Sequence, residues 1–424
     1  MAGYPLWKTI ENCVTQIKTS LYFTMGASTV KIVIAPDSYK GSLSAESAAD
    51  AMAKGVARAL PSAVLLQCPM GDGGEGTLAA LVASTGAEVR HTDVTDAHGG
   101  TRRAAWGWHS ESATAYVELA EVCGLQYTDI HQRSILDGST YGVGQLISES
   151  LKVGATSLVL TLGGSATNDA GAGLLVALGG RLVDKHGHEL PPCPRNFSQI
   201  DRIDISQLDG RLKNLEVVAA VDVDNPLIGK NGASAIYGPQ KGASLGDVNQ
   251  LESALRLFAD KLYDAVGHDV SEYPGAGAAG GVGYMAKAIL NAELKPGIDV
   301  VMGQVGFLNL IDDADLVITG EGRLDGQSLA GKTPIGISRC ASKLNVPVIV
   351  IAGQLGYDWR ASYEHGVTAA FSLMDGPMRL EEALGKTRQL LIDRCESVAR
   401  LFHEASMCHM RSIPKLGEGF VIVT

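Results

Sequence analysis

The chain has 424 residues, of which 46% are hydrophobic, 5% aromatic and 51 glycine, and its formal charge is −11. The acidic balance and scarce aromatics exclude the basic, base-stacking surface of a nucleic-acid binder. Seven scattered cysteines without a C-x-x-C pair exclude a zinc site or disulfide framework and point to a reducing compartment. No apolar run approaches the roughly 20 residues of a membrane span. Lys8, Glu11 and Lys18 interrupt the N-terminal stretch, so no secretory signal is read there. The expectation is a cytoplasmic protein of two or three domains, with no membrane or nucleic-acid partner and its oligomeric state open.

In chain order, KIVIAPDS from Lys31 reads as a buried parallel strand running into a loop. SLSAESAADAMAKGVARAL follows with helical spacing and Ser44 as its N-cap, and Pro61 ends it. AVLLQCPM is a second strand, then the loop GDGGEGT and the helix TLAALVASTG. Residues 88–120 alternate and carry aromatics, which predicts short antiparallel strands with a hairpin at HSES. STYGVGQLISESLKVG reads as a helix, SLVLTLGG as a buried strand entering GGSATNDAGAG, and LEVVAAVDVDNP as a strand ending in an acidic turn. NQLESALRLFADKLYDAVG is a long amphipathic helix, and GAGAAGGVGYMAKAIL a glycine-rich loop opening a helix. The last third repeats strand and helix through ADLVITG, PIGISRCASKL, VPVIVIAG, HGVTAAFSL and the helix from LEEALGK. The two ends read alike and the middle does not. This predicts an α/β protein with one domain made of 30–71 plus 297–406 and a second α/β domain, 72–296, inserted between. Residues 1–29 and 407–424 form an extension and a tail outside both.

Several loops follow apolar strands, are rich in glycine and carry acid, amide or lysine. They are PDSYKGSLS with Ser38, Lys40 and Ser42; GDGGEGT with Asp72 and Glu75; GGSATND with Ser165, Thr167, Asn168 and Asp169; DVDNP with Asp222; and GEGRLDGQS with Glu321, Arg323 and Asp325. In α/β sheets, ligands bind at the carboxyl ends of the strands. Backbone amides with lysines for phosphate, and carboxylates for Mg²⁺ and an acceptor hydroxyl, are the parts of phosphoryl transfer. Plainer readings stand beside these. Asp222 and Asp224 also suit a turn before Pro226, Asn168-Asp169 a helix N-cap, and Lys241 a solvated charge. GQSLAGKT at 326–333 matches the P-loop pattern, but the strand DLVITG ends at Gly320, which displaces it from the strand end a P-loop needs. Gly275, Gly277 and Gly280 have dinucleotide-loop spacing without a strand before them.

Taken together, VIAPDSYKGSLSA, GDGGEGT, STYGVGQLI, LTLGGSATNDAGAG, DVDNPL, YGPQKGA, GAGAAGGVG and VITGEGRLDGQSLAGKTPIG resemble the bacterial glycerate kinases of the type 1 family, in order from about Lys31 to about Ala405. Tyr39, Gly71 and Gln145 depart from the usual Phe, Ala and Glu of that pattern. The resemblance implies phosphorylation of D-glycerate by ATP with Mg²⁺, giving 2-phosphoglycerate. It also implies two α/β domains, a Rossmann-like one built from both chain ends and a flavodoxin-like insertion. On this basis Lys40, Asp72 and Asp169 are expected to be catalytic, and Ser38, Ser42, Asn168 and Arg323 to bind substrate. The nucleotide would meet Gly73, Gly74, Glu75, Gly76, Gly163, Gly164, Ser165, Thr167, Gly320, Glu321, Gly322 and Lys332, and the metal Asp222 and Asp325. Alternatives are a kinase of another small hydroxy acid, one forming 3-phosphoglycerate, and a non-catalytic nucleotide- or metabolite-binding regulator.

Overall fold

The run KIVI, buried at three of its four positions, forms strand β1 (Lys31–Ile34), an interior strand of a sheet. The computed structural model describes residues 29–130 and 134–412. The extension expected over 1–29 and the tail over 407–424 lie largely outside them. The remaining strands are β2 (Val64–Gln67), β3 (Glu88–Thr95), β4 (Thr101–His109), β5 (Thr114–Glu118), β6 (Ser157–Thr161), β7 (Arg181–Val183), β8 (Arg202–Asp204), β9 (Glu216–Ala220), β10 (Glu293–Lys295), β11 (Leu316–Leu324), β12 (Val348–Leu355) and β13 (Ala369–Ser372).

Strands from the two ends of the sequence make one parallel sheet in the order β13-β12-β11-β1-β2. Counted within this sheet, the order is 2-1-3-4-5, the doubly wound flavodoxin order, with its switch point between β1 and β11. The inserted segment makes the other large sheet, β10-β9-β6-β5-β4-β3, whose strands lie in sequence order. The antiparallel pairs β3–β4 and β4–β5 occupy one edge, as the alternation over 88–120 predicts, and the rest is parallel. The flavodoxin order expected of the insertion therefore belongs to the sheet of the chain ends, which was expected to be Rossmann-like. The parallel strands of the insertion, β5, β6, β9 and β10, follow one another in a single direction, so the strand order never reverses and no switch point forms there. The small β7–β8 ribbon was not anticipated, because three-residue strands are too short to show a period.

Helices Thr77–Thr85, Gly297–Gln304 and Thr333–Ser342 contribute to a core shared by both large sheets. Leu78, Leu81, Ile298, Val301 and Ile337 pack there with Val33 and Val317 of one sheet and Val159 and Ala220 of the other. The other face of the chain-end sheet is covered by helices Ala45–Ala59 and Leu380–Ser412. Ser44 caps the first of these, accepting from the Ser47 amide. Gly55 lets the two helices touch, since a Cβ there would lie 2.2 Å from the Ile392 carbonyl oxygen. The chain passes between the large sheets after β2 and again after β10, and the two passages meet: a Cβ on Gly297 would fall 1.9 Å from the Asp72 carbonyl oxygen.

Candidate active site

The loops leaving β1 and β11 border the switch point, and a cavity of about 620 Å³ opens there. Asp37, Ser38, Lys40, Ser42, Asp72, Glu321, Gly322, Arg323 and Lys332 line its polar part. Leu373, Met374, Met378, Leu380 and Leu384 line its apolar end. Asp37 accepts from the Thr333 hydroxyl at 2.5 Å and from the Ser38 amide at 2.6 Å. Burial, and then the neighbouring Asp72, push its pKa up to about 6, against the pull of Thr333, Ser38 and Lys40. Glu321 is pushed to about 7, mainly by burial, and its Oε1 is buried with no hydrogen-bond partner. Asp222 accepts from the Gly297 amide at 3.0 Å and also reaches about 7, through burial first and Asp72 second. Lys332 opposes the rise at both Glu321 and Asp222. Four carboxylates thus share a desolvated crevice with Lys40 and Lys332, the setting in which a bound cation relieves like-charge repulsion.

Lys332 is the N-cap residue of helix Thr333–Ser342. Because β11 runs to Leu324, only Asp325 separates it from GQSLAGKT, so the strand–loop–helix order of a P-loop is present after all. The phosphate cradle is not. The amides of Gly326, Gln327, Ser328, Gly331 and Lys332 all bond within the loop or to Tyr357, whereas a P-loop aims its amides at phosphate. Gly320 has a packing role: the hydroxyl of Tyr39, donating to the Ile351 carbonyl at 2.5 Å, fills the space a Cβ would need.

Beside the large cavity lies a second of about 140 Å³, at the carboxyl ends of β6 and β9. Gly73, Gly163, Gly164, Ser165, Asp222, Tyr237 and Lys241 are among its walls. Gly163 donates to the Gly73 carbonyl, and a Cβ on it would lie 2.5 Å from the Gly74 Cα, so these glycines let two loops touch. Lys241, which the sequence suggested was solvated, is buried, with its ammonium 2.7 Å from Ser165 Oγ and 2.7 Å from the Thr167 carbonyl oxygen. Burial pulls its pKa down to about 8.

Other expected residues stay out of both cavities. Asp169 is wholly buried, and its carboxylate accepts from the Thr140 amide and hydroxyl and from the Gly171 and Gly173 amides. It holds the start of helix Ala172–Ala177 through the Gly171 and Gly173 amides, although Gly171, and not Asp169 as the sequence suggested, is the N-cap residue. Asn168 donates to Ser234, and Thr167 offers its carbonyl to Lys241. Asp325 pairs with Arg323 at 2.8 Å and accepts from the Gln327 amide, away from the four acids. Glu75 and Gly76 are exposed. Their loop is held instead by Glu118 at the end of β5, which accepts from the Gly76 and Leu78 amides. Asp37, Glu118 and Lys241 were missed in the sequence. Asp37 alone carried a mark, its place in PDSYKGS.

The titration of Asp222 has a measurable consequence. Its ordinary pKa is 3.8 and its folded value about 7, so between these the folded chain keeps a proton that the unfolded chain loses. Its contribution to stability is present below pH 4 and disappears as pH rises to 7. In metal-free buffer, Asp222→Asn should therefore gain stability relative to the parent between pH 4.5 and pH 7.5. Urea midpoints at the two pH values test this, and a gain in the opposite direction contradicts the assigned burial.

Comparison with known proteins gives the chain a family. The glycerate kinase family model matches residues 32–403. A glycerate kinase of Bacillus subtilis is 46% identical over 84% of this chain and 93% of its own length. The glycerate 2-kinase of Escherichia coli is 45% identical over the same shares. A Salmonella typhimurium LT2 protein whose crystal structure is named for glycerate kinase 2 superposes with a TM-score of 0.82 at 39% identity, covering 90% of this chain and all of that one. The chain belongs to the glycerate kinase family.

Proposed function

We propose that the protein transfers the γ-phosphoryl group of ATP to the 2-hydroxyl of D-glycerate, giving 2-phospho-D-glycerate and ADP. The observation that carries this reading is the convergence of Asp37, Asp72, Asp222, Glu321, Lys40 and Lys332 at the switch point of a doubly wound sheet. Family membership and the Escherichia coli relative's name support the substrate and the 2-position.

The large cavity, within the roughly 300–1,000 Å³ typical of small-molecule sites, suits the nucleotide, with the base at the Leu373–Leu384 end. Lys40, Lys332 and Arg323 then face phosphate, so Arg323 leaves the role of binding substrate. Asp72 lines this cavity and Gly73 the smaller one, which places the Asp72 carboxylate at their junction. There it takes the proton of the 2-hydroxyl as the new O–P bond forms and the bond from the γ-phosphorus to ADP breaks. Asp169 is removed from this role by its four internal bonds.

Magnesium fits the crevice. The unpartnered Glu321 Oε1 and the Asp222 carboxylate are hard oxygen donors, and Mg²⁺ takes one or two such groups beside phosphate oxygens. Among the described residues no three or more His, Cys, Asp or Glu side chains are grouped to hold an ion by themselves. When bound, the ion draws negative charge from the transferring phosphoryl group. Asp325, engaged with Arg323, is not among its holders. The described helices include none long and apolar enough to cross a membrane, and we place the protein in the cytoplasm, dividing its domains near 72 and 297.

ADP release by the purified protein, followed across a panel of hydroxy acids with phosphorus NMR of the product, tests the function. D-glycerate should give the fastest release and a 2-phospho ester. A 3-phospho ester would move the chemistry to the other hydroxyl. Nucleotide binding with no ADP release from any acid would make the protein a regulator.

A further inference from the structure

The small pocket beside Asp222 contains an ammonium that no carboxylate bonds directly. Lys241 is 4% exposed, and both of its hydrogen-bond partners, the Ser165 hydroxyl and the Thr167 carbonyl, are neutral. Among the described residues it forms no ion pair. The nearby acid Asp169 already has both oxygens engaged by Thr140, Gly171 and Gly173. An ammonium has three N–H donors, and the two named bonds leave one. Burial is the largest influence on the Lys241 ammonium and outweighs the through-space attraction of Asp169, and an entering anion bonded to it offsets that desolvation.

The space in front of Lys241 is also selective. At about 140 Å³ it lies well below the range that accepts nucleotides, yet it adjoins the larger cavity through Asp72 and Gly73. In its glycine loop the Gly163 and Ala166 amides are already bonded, to the Gly73 and Cys123 carbonyls. Leu162, Val223 and Ala279 supply apolar wall, and Tyr237 is tied to Asn225 at 2.5 Å.

We propose that this pocket is the acceptor site, in which Lys241 and Ser165 take the carboxylate of a short 2-hydroxy acid and direct its hydroxyl toward Asp72 and the nucleotide cavity. The assignment rests on the kinase reading above. It makes Lys241 the residue that separates a hydroxy acid from an uncharged polyol, and the apolar wall the limit on chain length.

The test is steady-state kinetics of Lys241→Met and Ser165→Ala, together with calorimetric titration of D-glycerate into each protein loaded with Mg²⁺ and ADP. Lys241→Met leaves the Ser165 hydroxyl oxygen and the Thr167 carbonyl without their donor, so thermal melts check that each variant is folded. Lys241→Met should raise the KM for D-glycerate on the order of 100-fold, with the KM for ATP within about threefold of the parent. Its preference for D-glycerate over glycerol should collapse, which a merely structural role would not cause. Ser165→Ala should raise the KM for D-glycerate several-fold, and it decides the matter if Lys241→Met does not fold. A raised KM for ATP with unchanged D-glycerate binding would overturn the proposal and place Lys241 on phosphate. A parent protein that releases no ADP from any hydroxy acid would overturn the kinase reading itself, a separate and distinguishable failure.

Discussion

Asp72→Asn should lower kcat by roughly 10²–10⁴-fold while leaving the unfolding midpoint close to the parent's. Asp72 lines the cavity of about 620 Å³, and its Oδ1 accepts from the Gly74 amide at 3.1 Å. An asparagine oxygen keeps that bond, so the loop stays in place and only charge and basicity are lost. The same change removes the charge that helps raise the pKa values of Asp37, Asp222 and Glu321. Those acids should then titrate at lower pH in the variant, visible as carboxyl shifts in difference infrared spectra. Normal turnover in this variant would remove Asp72 as the proton acceptor.

Asp169→Ala should act on stability, with a loss on the order of 3–5 kcal/mol. The substitution leaves three backbone amides and the Thr140 hydroxyl without an acceptor in a site closed to water. Leaving several such donors unmade is among the few ways one substitution loses this much. Whatever fraction remains folded should turn over at nearly the parental rate, because the side chain reaches neither cavity. Urea denaturation measures the first effect and active-site titration the second. A stable variant with kcat down 100-fold would return Asp169 to the chemistry.

The β-loop-α rhythm was legible because its cues are local: apolar runs, a Ser44 cap and glycine turns. The antiparallel edge over 88–120 was legible for the same reason. Sheet order was not, since β1 pairs with β11 through registers such as Val33↔Val317, which no short-range pattern encodes. The candidate site divides along the same line. Acid-bearing glycine loops pointed to Lys40, Asp72, Asp222 and Glu321, and GQSLAGKT to Lys332, and the fold brings these together. Asp169 looks the same in sequence, and only the position of Thr140 shows it to be an internal fastener. Lys241 sits in the polar stretch GPQKGA, and its burial comes from Ser165 and Thr167, more than seventy residues away. Glu118 likewise looks like one strand residue until the GDGGEGT loop folds onto it.

A crystal structure with Mg²⁺, a non-hydrolysable ATP analogue and D-glycerate tests the central claim most directly. The γ-phosphorus should lie among Asp37, Asp72, Asp222 and Glu321, with the glycerate 2-oxygen about 3–3.5 Å from it. A nucleotide seated instead in the separate cavity of about 680 Å³ walled by Ile298, Met302, Arg339 and Lys343, with the four acids unengaged, would contradict the account.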